Sequence, residues 1–328
     1  MPGADDFRIP SLDLPQSVYV SEQAHKAFQP QRGLEPRMRY SKETIGVVRH
    51  ALNQGAQQAL DRAHALFQVD VENTEIGQVP VGVVRPQGGV SDAHNDHILI
   101  ELHPGAFIMG YDYGLVESIA MAALGRIQVV TVNYRLAPEN RFPAATEDVA
   151  AVYQGLLRKY AAPNIGILGS SAGGLLAAQA MAWFQQRGLP TPGAIAIMGS
   201  SADARFDGDS RYLMPASGYQ PPPGSDIVEF MLATYYANAD LKNPLISPAW
   251  SFDVLATFPP TLLATSTRAH DLSSAVFTHR QLIKAGVTAD LQLWEGLPHC
   301  FYFNLELPES REFYGVAAKF FAKHLGSR

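Results

Sequence analysis

Residues 165–178 read Ile165-Gly166-Ile167-Leu168-Gly169-Ser170-Ser171-Ala172-Gly173-Gly174-Leu175-Leu176-Ala177-Ala178. The branched, uncharged residues Ile165–Leu168 predict a buried strand, and the Ala- and Leu-rich stretch 172–187 predicts a helix. Between them stands Gly169-x-Ser171-x-Gly173, whose small residues let a chain turn tightly from strand into helix without side-chain clashes. Ser171 then sits at a helix amino terminus, where N–H groups and the helix dipole favour a developing negative charge. The strand before and the helix after make the pattern specific and mark Ser171 as a candidate nucleophile.

Working outward, the same alternation continues on both sides. Short apolar runs at Ile98–Leu102, Ile127–Val132, Ala194–Met198, Thr261–Ala264 and Leu291–Trp294 predict further strands. Helical periods over about 112–125, 144–160, 272–285 and 309–325 separate them. Strand and helix in regular succession require a mostly parallel sheet, because parallel strands need crossovers and the crossovers bury the faces of the sheet. Before this region, residues 43–67 predict an amphipathic helix, and 69–84 a hairpin of edge strands with Gly77 in its turn. A polar loop follows over 86–95. The interval 203–248 breaks the rhythm, with Asp, Ser, Pro, Tyr and Met and the run Pro221-Pro222-Pro223-Gly224. We therefore expect one α/β domain over 1–328, with 1–67 and about 203–248 as cap or lid segments.

Composition narrows the classes. The chain has 328 residues, 47% hydrophobic and 17% charged, with a mean hydropathy of −0.04, which excludes disorder and coiled coils. A chain of this length buries about three quarters of its unfolded surface. Net charge is −6 with no Lys/Arg-rich run, which argues against nucleic acid and anionic membrane as partners. No apolar run reaches membrane-spanning length. The amino terminus lacks a basic segment leading into an apolar one, so a cytoplasmic location is expected. The single cysteine, Cys300, forbids an intrachain disulfide or a cysteine-built metal cluster.

A serine hydroxyl needs a positioned base. His299 follows a predicted strand in Trp294-Glu295-Gly296-Leu297-Pro298-His299, at the strand end where an α/β sheet presents its functional groups, and it follows Ser171 in the chain order of serine hydrolases built on such sheets. His25, His50, His64, His94, His97, His279 and His324 are read as solvated. A tetrahedral oxyanion needs N–H donors. The strand Ile98–Leu102 runs into His103-Pro104-Gly105-Ala106-Phe107, so Gly105 and Ala106 are candidate donors from that loop and Ala172 from the residue after the nucleophile.

These features together resemble the hormone-sensitive-lipase-like branch of the α/β-hydrolase superfamily, which includes bacterial acetyl esterases and plant carboxylesterases. The matching residues are His103–Phe107, Asn133-Tyr134-Arg135-Leu136-Ala137-Pro138-Glu139 with Phe142-Pro143-Ala144, the serine turn, Pro259-Pro260-Thr261-Leu262 and Glu295–His299. They span about 200 residues in the family's order. The resemblance implies an α/β-hydrolase fold with an amino-terminal cap, hydrolysis of a small-molecule ester, no cofactor or metal, and homodimerisation through the last strand.

Three positions depart from the family pattern. Pro104 replaces the first glycine of the loop and has no N–H. Ser170 replaces the acidic residue that usually precedes the nucleophile. Ala269 stands where alignment on the Pro-Pro-Thr-Leu strand places the triad acid. Asp271, two residues later, is taken as the acid that orients His299, with Asp203, after the strand Ala194–Met198, as the second candidate; Asp271 also fits a helix-capping role. The reaction read from this set is a Ser-His-acid cleavage of carboxylic esters or lactones. A cofactor-free lyase, dehydratase or cyclase and a non-catalytic receptor on the same scaffold stand as alternatives. Phe107, Tyr111, Tyr113, Phe206, Tyr212, Met214, Tyr219, Tyr235 and Tyr236 are candidates for an aromatic pocket.

Overall fold

The computed structural model describes residues 14–29, 40–41, 43–217 and 227–326; the Pro221–Gly224 run and Tyr219 lie outside them. In chain order the elements are α1 (Glu22–Ala27), α2 (Ile45–Leu66), β1 (Val69–Ile76), β2 (Val79–Pro86), β3 (Ile98–Leu102), α3 (Tyr111–Gly125), β4 (Gln128–Val132), α4 (Ala144–Leu156), β5 (Ile165–Ser170), α5 (Ala172–Arg187), β6 (Ala194–Met198), α6 (Asp209–Leu213), α7 (Ile227–Thr234), α8 (Phe252–Leu255), β7 (Thr261–Arg268), α9 (Leu272–Lys284), β8 (Ala289–Pro298) and α10 (Pro308–His324). The eight strands form one sheet in the order β1-β2-β4-β3-β5-β6-β7-β8. From β4 to β8 neighbours are parallel. At the other edge β1 and β2 join antiparallel.

The predicted alternation of strand and helix holds, with one correction. Of the two hairpin strands only β1 lies at an edge of the sheet; β2 pairs on its far side with β4, Val81 opposite Val132 and Val84 opposite Val129. Its valines, buried in succession at Val81, Val83 and Val84, suit an inner position better than an edge. The hairpin turns at Gly77 and Gln78, both left-handed, as a two-residue turn between twisted strands demands.

Every residue of β3, β5 and β6 is buried, because helices cover both faces of the parallel strands. One core gathers α4, α5 and α9 against β3, β5 and β6, and the other gathers α3 and α10. Parallel strands deliver their following loops to one edge. The loops after β3, β5, β7 and β8 therefore bring residues 103–110, Ser171, Asp271 and His299 together, although Ser171 and His299 are 128 positions apart in sequence.

Segments outside the sheet are tied to this edge. Arg49 of α2 donates from Nε to the Ile108 carbonyl at 2.7 Å, donates to the Ala137 carbonyl, and pairs with Glu139 at 2.6 Å. Ser21 caps α1 and donates its N–H to Glu309 of α10 at 2.5 Å. Among the described residues no helix is long and apolar enough to cross a membrane.

Candidate active site

Ser171 occupies the turn between β5 and α5 with φ 53° and ψ −117°, a conformation that a serine adopts only when its surroundings impose it. A Cβ at Gly173 would lie 1.7 Å from the Leu102 carbonyl oxygen, so the glycine lets α5 start directly against β3. Ser171 N–H donates to the Met198 carbonyl at 2.8 Å, and Ser200 Oγ donates to the Ser171 carbonyl at 2.6 Å. The backbone of the turn is thus fixed from β6 and the loop beyond it.

His299 Nε2 lies 3.1 Å from Ser171 Oγ, and His299 Nδ1 lies 2.7 Å from Asp271 Oδ1. With the Nδ1–H donated to the carboxylate, Nε2 is left as the acceptor for the serine hydroxyl. Asp271 is fully buried and accepts a second hydrogen bond at Oδ2 from Thr265 of β7, at 2.5 Å. Although Asp271 holds the N-cap position of α9, its side chain makes no capping bond. The carboxylate faces the histidine instead.

Asp203, the other acid considered, faces elsewhere. It is paired with Arg205 at 2.8 Å and accepts from Trp250 Nε1 at 3.1 Å. Asp271 follows the end of β7 and His299 the end of β8, two neighbouring parallel strands whose pairing shifts register between Ser266 and Arg268. Ala269, where alignment on the Pro-Pro-Thr-Leu strand leads one to expect the acid, is fully buried.

Burial alone would lower the His299 pKa. Cys300 and then the hydrogen bond and charge of Asp271 more than offset it, holding the imidazole well above its ordinary 6.5. Burial likewise disfavours the Asp271 carboxylate, but the His299 hydrogen bond and neighbouring positive charge keep its pKa below the usual carboxylate value. Sequence reasoning missed His270. Its ring lies 4.4 Å from that of His299, and burial first, then the charge of His299, push its pKa down to about 3. It presents a neutral imidazole to the site. The reading of the other histidines as solvated also needs correction at His94, which is buried against His97, with their Nδ1 atoms 3.0 Å apart.

Gly105, Ala106 and Ala172 line the same cavity as Ser171 and His299, a space of about 360 Å³. Gly105, Ala106 and Phe107 all have positive φ, and a Cβ at Gly105 would fall 2.1 Å from the Met109 carbonyl oxygen. These conformations fold the loop back on itself, with Ile108 N–H donating to the Gly105 carbonyl at 2.9 Å. The Asn133–Glu139 motif secures the loop: Tyr134 stacks on His103 at 3.8 Å and donates to its carbonyl at 2.7 Å, and Ala137 N–H donates to the Phe107 carbonyl.

Of the proposed aromatic pocket residues, Tyr113 and Phe206 line the cavity; Met109, Ile227, Val228, Met231 and Phe303 complete its apolar wall. Phe107, Tyr235 and Tyr236 stack in the core instead, Tyr212 is exposed, and Tyr111 lines a separate cleft.

The acidic residue expected before the nucleophile is replaced in space. Ser170 Oγ donates to Glu117 Oε1 at 2.5 Å, so α3 brings a carboxyl group to the turn. No local pattern announces this, because Glu117 lies within a buried and mainly apolar stretch of α3.

A mostly parallel sheet of this order, with a serine on its strand-to-helix turn hydrogen-bonded through histidine to a buried aspartate, defines a serine ester hydrolase. The chain belongs to the family described as α/β-hydrolase fold, whose model matches residues 99–303. It is similar to an acetyl-hydrolase of Streptomyces hygroscopicus, with 30% identity over 227 residues, covering 68% of this chain and 74% of that one. Among solved structures it resembles an esterase with a TM-score of 0.86 and 30% identity, over 98% of this chain and 99% of the other. It also resembles an esterase from the bacterial hormone-sensitive lipase family, with a TM-score of 0.75 and 25% identity, over 88% and 100% of the two chains.

Proposed function

We propose that this ester hydrolase cleaves carboxylic esters or lactones of small to medium size, with Ser171 as nucleophile, His299 as general base and then acid, and Asp271 as the group that orients His299. The observation carrying this reading is the unbroken Asp271–His299–Ser171 hydrogen-bond chain opening into a cavity of about 360 Å³ with chiefly apolar walls. Ser171 Oγ attacks the ester carbonyl while its proton passes to His299 Nε2. The tetrahedral oxyanion is held by the N–H groups of Gly105, Ala106 and Ala172, with Pro104 contributing none. His299 then protonates the leaving alcohol, and water, activated by His299, hydrolyses the acyl group from Ser171. The amino-terminal segment and the segment around α6 and α7 serve as the cap, supported by Arg49 bound to the 105–110 loop and by Ile227, Val228 and Met231 on the cavity wall. The lyase and receptor readings are not favoured.

A fluorophosphonate ester is expected to add one equivalent to the protein, located on Ser171 by peptide mass spectrometry. An unlabelled protein, under conditions that modify a control esterase, overturns the assignment. The base must be neutral to act, so kcat/KM is expected to rise with pH through a midpoint above 6.5 as His299 loses its proton. In Asp271→Asn the part of the rise that Asp271 supplies beside Cys300 is gone, and the midpoint of the residual activity moves down. A pH–rate profile with the two midpoints in the reverse order contradicts the pairing.

A further inference from the structure

Beneath the serine turn, on the side of the sheet facing α3 and α10, lies a buried polar cluster that the ester-cleaving steps do not use. Ser170 donates to Glu117 Oε1 at 2.5 Å and accepts from Tyr302 O–H at 2.8 Å. Its hydroxyl is therefore fixed at both ends. Tyr302 lies three positions beyond His299, and its ring stacks on Phe313 of α10 at 3.9 Å. The chain Glu117–Ser170–Tyr302 thus joins the residue before the nucleophile to the loop carrying the histidine. Glu117, Ser170 and Tyr302 are all buried, so water cannot readily substitute for a missing partner.

The fold makes room for a second carboxyl group here. Glu101 of β3 is fully buried, and a Cβ at Gly114 of α3 would fall 2.5 Å from its Oε2. Both Glu101 oxygens and Glu117 Oε2 lack a conventional donor, which is the pattern two carboxyl groups present when a proton lies between them. Burial raises Glu117 to about 8, against the lowering effect of its bonds to Ser170 and Glu101; burial and then the charge of Glu117 also raise Glu101 well above the usual carboxylate range. The pair holds at least one proton at neutral pH. Tyr302 and Cys300 of the histidine loop, Tyr314 of α10, Tyr111 and Tyr134 are further titratable groups around it.

We propose that Glu117 is a positioning residue for ester hydrolysis, acting through Ser170 and Tyr302 to hold Ser171 at the distance from His299 that proton transfer needs. The inference rests on reading Ser171 and His299 as nucleophile and base. It explains how the turn can hold serine at the position where the family resemblance implies an acid: the carboxyl group comes from the neighbouring helix. A misplacement of the reacting pair acts on the chemical step rather than on substrate binding.

The test uses the full-length protein, with competent sites counted by fluorophosphonate titration and kcat expressed per titrated site on a small p-nitrophenyl ester. Glu117→Leu and Tyr302→Phe are each expected to lower kcat about tenfold with KM within about twofold, the scale of losing one buried hydrogen bond. Glu117→Gln, which can accept from Ser170 and donate to Glu101, is expected to recover most of that loss. A purely structural role would reduce melting temperature and the number of titrated sites but not kcat per site. Tyr302→Phe removes one oxygen and carries the test if Glu117→Leu fails to fold. Unchanged kcat per site in the folded variants, with Ser171→Ala inactive, overturns the inference; activity surviving in Ser171→Ala overturns the site reading and the inference together.

Discussion

Ser171→Ala is expected to lower kcat for a small ester by about 10⁶-fold, the scale on which a catalytic serine acting as one unit with its histidine is lost. The substitution removes one oxygen at a half-buried position, leaving the turn, the glycine contacts and the Ser200 bond to the backbone in place. Circular dichroism and melting temperature should therefore stay close to the unmodified protein. Fluorophosphonate labelling should vanish. What remains is the residual acceleration from the N–H groups of Gly105, Ala106 and Ala172, about 10³–10⁴ over water in comparable sites. Activity above about a tenth of the starting value would mean that the proton or acyl acceptor lies elsewhere in the cavity.

The second large effect separates the two aspartates. Asp271→Asn should lower kcat by about 10⁴-fold, roughly 5 kcal/mol of barrier. The amide can present N–H to His299 Nδ1, favouring the tautomer that places a proton on Nε2 and blocks acceptance from Ser171. Asp271 is also bound to Thr265, which holds the asparagine in place to express that effect. Asp203→Asn should act differently. It weakens a buried ion pair with Arg205 and the bond from Trp250, so it should lower the melting temperature while kcat per titrated site changes little. The reverse pattern, with Asp203→Asn losing activity and Asp271→Asn retaining it, overturns the assignment of the acid.

The serine turn was readable along the chain because its requirements are local. Gly169 and Gly173 lie two residues either side of Ser171, and the contacts that exclude a side chain there arise from the turn itself and the adjacent β3. His299 was readable from its place after a late strand. The acid was readable only as Asp271 with Asp203 as a rival, since both follow strands of the parallel sheet and both are buried. Choosing between them depends on which one meets His299 across the loops: Asp271 does, at 2.7 Å, while Asp203 is taken up by Arg205 and Trp250. Glu117 and His270 escaped for a related reason: one lies in the middle of a mainly apolar helix, the other beside a more conspicuous aspartate, and each acquires meaning only from what packs against it.

By itself, then, the sequence determined the alternating architecture, the position of the serine turn, the histidine loop and the bend at Gly105, all of which follow from hydrophobic period and backbone sterics over a few residues. The tertiary structure alone decided which carboxylate meets His299, which carboxyl group stands behind Ser170, and which side chains face the cavity. Those pairings join groups 28, 53 and 128 positions apart. Hydrogen bonds of that kind are selected by distances of about 3 Å, and only the packing of the helices on the two faces of the sheet fixes them.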